Sequence, residues 1–263
     1  MADFVDANGV HTYYEVHGTG DPFLLLHGGL SCADDFAMQT PAFAEHYRVI
    51  LPERRAHGHT PDVDGPITYE VMADDTIAFM EALDTGPAHL LGWSDGGNIA
   101  LIVAMKRPDL VRKIATTGAN FSTTGYVDGF QASFTPDSEA LTMMRDDWTE
   151  RTPDGADHFP VVLEKIEQLW FGDWSIPAAD LARIAAPLLV MSGDDDAVRL
   201  DHTLALYGAV PNAQLAVIPG ASHLVPVEKA DLFNQLVLDF LASGPPEELL
   251  PFRRQGPPAA VGS

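Results

Sequence analysis

The stretch GWSDGG, residues 92–97, decides the fold that this sequence predicts. It follows the apolar run 88–91 and precedes the helix-like stretch 98–106. A strand, Gly-x-Ser-x-Gly and a helix, in that order, predict a sharp turn that raises the Ser94 hydroxyl above a sheet, at a helix N-terminus that stabilises negative charge. The flanking glycines leave room for the strand and the helix to approach each other closely. The motif alone is common, but its position between a strand and a helix points to a nucleophilic serine.

Strand-like and helix-like segments alternate over most of the chain. Strands are predicted at 10–16, 23–27, 47–51, 89–91, 113–117, 188–192 and 214–218, and helices at 33–45, 69–82, 96–106 and 229–241. This alternation predicts the α/β class, with a mostly parallel central sheet flanked by helices on both faces. Residues 1–120 and 182–243 are then the core, and the Pro/Gly-rich tail 244–263 is expected to be irregular.

The alternation stops between residues 121 and 181, a segment that holds three of the four tryptophans. Its aromatic residues stand among acidic residues, prolines and glycines. This pattern predicts a helical insertion over the carboxyl edge of the sheet, where ligands bind in open α/β folds. The aromatic residues can form the core of the insertion, line an apolar pocket, or do both. The candidate pocket residues are Leu30, Phe121, Phe130, Trp148, Trp170, Phe171 and Leu224.

Composition and charge limit the partners and the compartment. The net charge of −23, from 15 basic and 38 acidic residues, argues against nucleic acid or an anionic membrane as a partner. No apolar run reaches the length of a membrane span, and the acidic N-terminal stretch lacks the features of a signal peptide. The single cysteine, Cys32, excludes an intramolecular disulfide and fits a reducing compartment. Together these features predict a cytoplasmic protein.

A nucleophilic serine needs a base, an acid that orients the base, and donors for the oxyanion that forms. The stretch LLVMSGDDDAV, residues 188–198, places three aspartates after a late strand. The stretch IPGASHLVP, residues 218–226, places His223 in a loop after the last strand, whereas the other histidines lie in ordinary contexts. The chain order serine, acid, histidine predicts Ser94 as the nucleophile and His223 as the base, with one of the three aspartates as the acid.

Two backbone N–H groups are expected to hold the oxyanion. One is that of Asp95, the residue after the nucleophile. The other comes from the glycine-rich loop HGGL, residues 27–30, where Gly29 is the first candidate and Leu30 the alternative. His27 is interpreted as a structural anchor of that loop.

Five landmarks follow one another along the chain: LLLHGG (24–29), RRAHGHT (54–60), GWSDGG (92–97), GDDDAV (193–198) and PGASH (219–223). In this order they resemble the landmarks of serine-nucleophile α/β-hydrolase-fold proteins, over residues 9–242. The resemblance implies an α/β-hydrolase fold in which segment 121–181 is the cap domain. It also selects Asp196 as the acid, because the family acid is the last residue of a Gly-x-x-Asp pattern. Glu53 and Ala56 replace the Asp and Gly of the usual Asp-x-Arg-Gly-His-Gly loop, a departure that concerns the shape of this loop and not the triad.

The elbow GWSDGG also resembles that of the valacyclovir-hydrolase, or biphenyl-hydrolase-like, branch. In that branch the aspartate after the serine is associated with recognition of an amino ester's ammonium group, so the resemblance implies this role for Asp95. The alternative is that Asp95 only begins a helix, where a carboxylate is favourable in any case.

The expected activity is hydrolysis of a carboxylic ester, a lactone or a related acyl bond through an acyl-enzyme. Alternatives are a C–C bond hydrolase or a perhydrolase with the same triad, or a non-catalytic ligand receptor on the same fold. A serine at the elbow disfavours the dehalogenases and epoxide hydrolases that resemble this fold, since they use an aspartate there. The sequence contains no metal motif, cysteine cluster or phosphate-binding glycine loop, so no cofactor or metal is predicted. The predicted partner is a small apolar or neutral molecule, and the oligomeric state stays open.

Overall fold

The computed structural model describes residues 1–135 and 137–244 of the 263-residue chain, so all but the first residue of the predicted tail lies outside the described residues. The strands are β1 (Ala2–Ala7), β2 (Val10–His17), β3 (Pro22–Leu26), β4 (Arg48–Pro52), β5 (Ala88–Trp93), β6 (Val111–Thr117), β7 (Leu188–Gly193) and β8 (Ala213–Ile218). The α-helices are α1 (Thr40–Ala44), α2 (Tyr69–Ala82), α3 (Asp95–Lys106), α4 (Glu139–Arg151), α5 (Phe159–Phe171), α6 (Ala178–Leu181), α7 (Leu200–Ala209), α8 (Val225–Glu228) and α9 (Ala230–Ala242). Short 3₁₀ helices lie at Ala33–Phe36, Pro108–Leu110, Thr123–Gly125, Gln131–Ser133 and Ala156–His158.

One sheet of eight strands forms the centre of the protein, in the order β1-β2-β4-β3-β5-β6-β7-β8. β2 pairs antiparallel with both β1 and β4, and the other neighbouring strands of this sheet are parallel. This is the mostly parallel sheet flanked by helices that the alternating pattern predicts. Because β3 and β5 to β8 are parallel, the loops that follow them lie at the same edge of the sheet. The segment between β6 and β7 contains α4, α5 and α6, within the predicted insertion 121–181.

The first strand was not predicted, although the sequence contains a signal for it. β1 and β2 form a hairpin whose turn is Asn8-Gly9, with positive φ at both residues, 50° and 76°. Asn-Gly between two strands is a strong hairpin signal, because a type I′ turn needs positive φ at both positions. β1 itself is mostly exposed and therefore lacks the apolar run that marks the other strands.

The predicted helix 33–45 was wrong in its continuity, and α7 was missed. The segment consists of the 3₁₀ turn Ala33–Phe36 followed by α1. Pro41 at the start of α1 has no N–H to continue the hydrogen-bond ladder of the preceding turn, so a new helix begins there. α7 exposes Leu200 and Leu204 to solvent, so its apolar residues do not mark one buried face.

Both faces of the sheet are covered, and β3 shows how the sequence achieves this. Leu24 and Leu26 pack in the core on the side of α2 and α3. Phe23 and Leu25 pack in the core on the side of α1 and α9. Successive side chains of a strand point to opposite faces, so a strand that is buried on both sides reads as a continuous apolar run.

Arg55, in the loop after β4, forms a buried ion pair with Asp75 on α2. Its guanidinium donates from Nε to Oδ2 at 2.6 Å and from Nη2 to Oδ1 at 2.8 Å. Asn8 donates a third hydrogen bond to the same carboxylate at 2.7 Å. The two charged side chains are only 7% and 9% exposed, so the loss of one partner would leave a buried charge without compensation.

We expect Asp75→Ala to lower the free energy of unfolding by about 3–5 kcal/mol, because it leaves the Arg55 charge in the interior. Asp74→Ala is the matched control on the same helix. Asp74 pairs with Lys106 at the surface at 2.7 Å, and its loss should cost less than about 1 kcal/mol. Urea unfolding of both variants measures the difference, and equal losses would contradict the role of the buried pair.

Candidate active site

Ser94 lies in the sharp turn between β5 and α3. Its backbone has φ 54° and ψ −119°, a strained conformation for a residue other than glycine. The Ser94 N–H donates to the Thr117 carbonyl at 2.9 Å, and the Ser94 carbonyl accepts from the Gly97 N–H at 2.8 Å. These bonds hold the serine at the carboxyl edge of the sheet, immediately before the first residue of α3.

Two glycines allow the backbone to approach closely enough for this turn. A Cβ on Gly96 would overlap the carbonyl group of Leu26, and a Cβ on Gly92 would overlap the backbone of Gly96. Neither neighbour is a flexible side chain that could move away, so glycine is required at both positions. The surrounding backbone therefore maintains the strain at Ser94.

His223 and Asp196 form a hydrogen-bonded pair beside this turn. The His223 Nδ1–H donates to Asp196 Oδ1 at 2.7 Å. The carboxylate also accepts from the N–H groups of Val198 at 3.0 Å and Gly193 at 3.3 Å. Burial opposes the charged form of this carboxyl, but the hydrogen bonds, that of His223 first, outweigh burial and hold the pKa of Asp196 below its usual value. The imidazole is thus oriented by an ionised carboxylate.

The three consecutive aspartates have different surroundings. Asp196 is buried, whereas the side chains of Asp194 and Asp195 lie at the surface. Asp194 Oδ1 accepts from the N–H groups of Gly220 at 2.7 Å and Ala221 at 3.2 Å, which fixes the loop that carries the histidine. Of these three aspartates, Asp196 is the one whose carboxylate contacts the His223 ring.

The His223 ring is positioned by two further contacts. The Trp93 indole N–H donates to the His223 carbonyl at 2.9 Å, so the residue before the serine holds the backbone of the histidine. Gly118 lies against the ring, and a Cβ there would come within 2.5 Å of His223 Cε1. Gly118 also has a positive φ of 63°.

The candidate oxyanion donors lie on either side of Ser94. α3 begins at Asp95, so the N–H of this residue has no partner within the helix. Gly29 lies on the wall of the cavity described below, and a Cβ there would overlap the Asp95 carboxylate. Leu30, the alternative donor, lies on the same wall with a φ of 51°.

The loop that carries these glycines is fixed by hydrogen bonds from the buried side chain of Arg54. The Arg54 guanidinium donates to the carbonyls of His27 and of Gly28, the latter at 2.6 Å. Burial and the charge of Arg54 lower the pKa of His27 well below its usual value and that of His57 to about 3. Both rings are therefore neutral structural groups, as interpreted for His27. Glu53, one of the two departures from the family loop, accepts from the His59 N–H at 2.5 Å.

Ser94 and His223 open on a cavity of about 380 Å³. Four of the seven predicted pocket residues lie on its wall: Leu30, Phe130, Trp170 and Leu224. Sequence reasoning missed several others, which include Tyr126, Phe134, Met143, Met144, Asp35 and Asp147. On α4, Met143 and Met144 stand three or four residues before Asp147, a spacing that places all three on one side of a helix. The sequence contains this spacing but does not indicate which side faces the cavity.

The other three predicted pocket residues lie elsewhere, in the packing of the insertion. Phe121 stacks on His202 with ring centroids 4.0 Å apart. Trp148 donates to the Ala56 carbonyl at 2.8 Å and so ties α4 to the loop after β4. Phe171 packs against Phe130 and the neighbouring Trp170, at 6.1 Å in each case. The structure does not place these three on the cavity wall, because Phe121 and Trp148 join the insertion to the rest of the domain and Phe171 packs within the insertion.

The charges on the cavity wall are acidic. Asp35 accepts a hydrogen bond from the Ser31 hydroxyl, and Asp147 pairs with Arg151 at 2.5 Å. Burial raises the pKa of Asp35 above its usual value, and the nearby charge of Asp147 adds to this effect. Among the described residues that line the cavity, none is a lysine or an arginine.

The Asp95 side chain is buried away from this wall and only 1% of the residue is exposed. Its Oδ1 accepts from the Tyr69 hydroxyl at 2.6 Å, and its Oδ2 accepts from the Trp170 indole N–H at 2.9 Å. Both carboxylate oxygens thus have a protein donor.

Within residues 1–135 and 137–244, no helix has the length and apolar character needed to cross a membrane. The same residues contain no group of three or more His, Cys, Asp or Glu side chains placed to hold a metal ion.

Known proteins resemble this chain over most of its length. The model of the alpha/beta hydrolase family matches residues 23–236. The serine hydrolase BPHL of Homo sapiens is 34% identical over 257 residues, which cover 90% of this chain and 85% of that protein. The 2-hydroxy-6-oxo-6-phenylhexa-2,4-dienoate hydrolase of Burkholderia cepacia is 31% identical and covers 86% of this chain and 90% of its own length. The solved structure of Est816, described as an N-acyl homoserine lactone degrading enzyme, is 25% identical with a TM-score of 0.77, over 90% of this chain and 100% of that one.

We expect Gly118→Ala to displace the His223 ring from Asp196, because the new Cβ would occupy the space of the imidazole. Gly86→Ala is the matched control, since Gly86 has nearly the same φ, 65°, but no atom within 4 Å of its Cβ position. Both variants should lose about 1–2 kcal/mol of stability from the left-handed backbone. Only Gly118→Ala should lose the low-field NMR resonance of the His223 Nδ1 proton. Retention of that resonance would show that Gly118 does not position the ring.

Proposed function

This chain belongs to the alpha/beta hydrolase family, and we propose that it is a serine hydrolase that cleaves a carboxylic ester, a lactone or a related acyl bond. The observation that carries the proposal is the strained Ser94 turn beside a hydrogen-bonded His223–Asp196 pair, with serine and histidine on the wall of one cavity. These are the nucleophile, the base and the orienting acid that acyl transfer requires.

In the proposed reaction Ser94 Oγ attacks the acyl carbon, and His223 accepts the hydroxyl proton on the ring nitrogen that does not contact Asp196. The amides of Asp95 and Gly29 hold the negative charge that forms on the carbonyl oxygen. The bond to the leaving group then breaks, this group takes the proton from His223, and the acyl group stays on Ser94. Water attacks the acyl-enzyme with His223 as the base, which releases the acid and restores the serine.

The cavity supports a small apolar or neutral substrate. Its volume of about 380 Å³ is within the range of small-molecule sites. Aromatic and methionine side chains supply an apolar surface. Asp35, whose hydrogen-bond partner is the uncharged Ser31 hydroxyl, would repel an anion, whereas the charge of Asp147 is compensated by Arg151. An anionic acyl or leaving group would meet no lysine or arginine among the described wall residues.

Hydrolysis of a C–C bond is the second candidate, because a relative with 31% identity is named as a dienoate hydrolase. The same serine, histidine and aspartate would serve that reaction. A dienoate carries a carboxylate, however, and the acidic wall disfavours such a substrate. Neutral esters and lactones therefore rank first.

We also propose a cytoplasmic location. The support is Cys32, the single cysteine of the chain, which is 2% exposed. Burial raises the pKa of its thiol to about 12, so the residue is an unreactive part of the core and not half of a disulfide.

We expect Ser94→Ala to lower turnover of the best neutral ester by about 10⁴-fold or more, with little change in thermal stability. The panel of substrates contains neutral esters, amino-acid esters and lactones, and a fluorophosphonate probe should label wild type at Ser94 only. Turnover that survived the substitution would refute the mechanism. No turnover in wild type, together with a thermal shift on ligand binding, would instead indicate a receptor.

We expect an ester with a neutral acyl chain to be preferred over the matching ester with a terminal carboxylate by roughly ten-fold or more in kcat/KM, about 1.4 kcal/mol. Asp35→Asn should narrow this ratio, and Asp34→Asn is the matched control because Asp34 is an exposed neighbour that pairs with Arg151 at 3.1 Å. The pKa of Asp35 is raised, so its charge is lost as the pH falls through that value, and the discrimination should weaken toward acid pH. A ratio unchanged by Asp35→Asn would remove this role from the carboxylate.

A further inference from the structure

We propose that the side chain of Asp95 is a positioning group that clasps the helix α5 to the nucleophile turn and so sets the geometry of the oxyanion hole. The proposal rests on the proposed function, in which the backbone N–H of the same residue holds the oxyanion. It differs from recognition of a substrate ammonium group, because it assigns the carboxylate partners within the protein.

Three elements meet at this carboxylate. Asp95 begins α3, Tyr69 begins α2, and Trp170 stands near the end of α5. The tyrosine hydroxyl and the indole N–H donate to different carboxylate oxygens, at 2.6 Å and 2.9 Å. A buried carboxylate is stable only when donors replace its water, so the position of Asp95 requires that both donors stay in place.

We call the hydrogen-bonded group of Asp95, Tyr69 and Trp170 the clasp. It is in direct contact with the candidate oxyanion loop. A Cβ on Gly29 would overlap the Asp95 carboxylate and would come within 2.9 Å of Trp170 Cε2. Gly29 therefore packs against both Asp95 and Trp170. Trp170 also forms part of the cavity wall. A shift of the indole or the carboxylate would move the backbone that is proposed to hold the oxyanion.

The charges around Asp95 keep the clasp in its hydrogen-bonded form. Burial, with the negative charge of Asp95, raises the pKa of Tyr69 well above its usual value, so the hydroxyl keeps its proton and remains a donor. Arg54 is also buried, which lowers its pKa to about 10, but the Asp95 charge opposes that effect. The carboxylate thus has a cationic neighbour as well as its two donors.

An ammonium group of a substrate would have to reach a carboxylate that is buried and that already accepts two hydrogen bonds from the protein. The Asp95 carboxylate does not lie on the cavity wall, and the Trp170 indole bonded to it does. Trp170 and Gly29 both lie on the wall and pack against this carboxylate, so a movement of either residue to admit a cation would disturb the candidate oxyanion loop. The geometry assigns Asp95 to the protein's own architecture.

The chain offers a matched control for the clasp. Trp174, after α5, donates from its indole N–H to Glu70 Oε1 on α2 at 3.1 Å, at the surface. Glu70→Gln therefore makes the same chemical change as Asp95→Asn. Each replaces a carboxylate that accepts from a tryptophan by an amide, and Trp174 lies just after the helix that contains Trp170. Glu70→Gln does so away from the cavity wall and without the burial.

The experiment is a double-mutant cycle with Asp95→Asn and Trp170→Phe, and with Glu70→Gln as the control. An asparagine keeps one acceptor oxygen, so one of the two donors loses its partner. We expect Asp95→Asn to lower kcat on a neutral ester by roughly 10- to 100-fold, because a small displacement of oxyanion donors is costly. Trp170 also lines the cavity, so Trp170→Phe has a cost of its own, but the loss in kcat of the double variant should be clearly smaller than the product of the two single losses. Hydrogen exchange should accelerate in residues 159–171 of Asp95→Asn and stay unchanged in Glu70→Gln.

Three outcomes would overturn the proposal. If Asp95→Asn keeps its kcat on neutral esters and loses only amino esters, the carboxylate binds a substrate cation. If the losses in the cycle multiply, the two residues act independently. If stability falls but the folded variant keeps its kcat, the contact is only part of the scaffold. Failure of the proposed function would be recognised separately, as turnover in wild type that does not depend on Ser94, while hydrogen exchange still reports on the clasp.

Discussion

The close approach of α3 to the sheet is the constraint on which the rest of the structure depends. Gly92 and Gly96 leave no space for a side chain between β5, α3 and the carbonyl group of Leu26. The chain must therefore reverse within one residue, which forces Ser94 into a positive φ. Because the cause is backbone packing, a change of rotamer cannot relieve the strain. The same turn leaves the first amides of α3 without helical partners beside the serine hydroxyl.

The parallel sheet brings the remaining groups to this turn from distant parts of the chain. Asp196 follows β7, His223 follows β8 and Gly29 follows β3, and all these strands end at one edge. Contacts between the loops then set the spacing more finely than the strands do. Trp93, the last residue of β5, binds the backbone of His223, so the residue next to the serine also locates the histidine. Contacts between these loops thus link the positions of the groups. Trp93 and Asp196 contact His223, and Asp95 packs against Gly29.

The groups next to strands could be predicted from the sequence, whereas the cavity wall could be predicted only in part. A residue that follows a parallel strand has one edge to occupy, so local motifs and chain order predict that Ser94 and His223 lie close together at that edge, and both lie on the wall of one cavity there. Membership of the alpha/beta hydrolase family confirmed the fold class that these motifs predicted. A residue on an insertion helix can face the cavity, the core or another helix. Trp148 turned toward the Ala56 carbonyl and Phe134 toward the cavity, because helix docking, which has no short sequence signal, decides between them.

Asp95 shows why the position of the insertion is linked to the nucleophile turn. A carboxylate is favourable at a helix N-terminus, but burial there would be costly without donors. Trp170 supplies one of those donors from α5. The insertion therefore offsets part of the desolvation cost of burying the Asp95 carboxylate in the core. Phe130, Phe134, Met143 and Met144 also belong to the insertion's part of the wall, and their side chains carry no N–H or O–H donor. Shape and apolar contact are then what these four side chains offer an acyl group, whereas the hydrogen bond of Trp170 is fixed to the nucleophile turn.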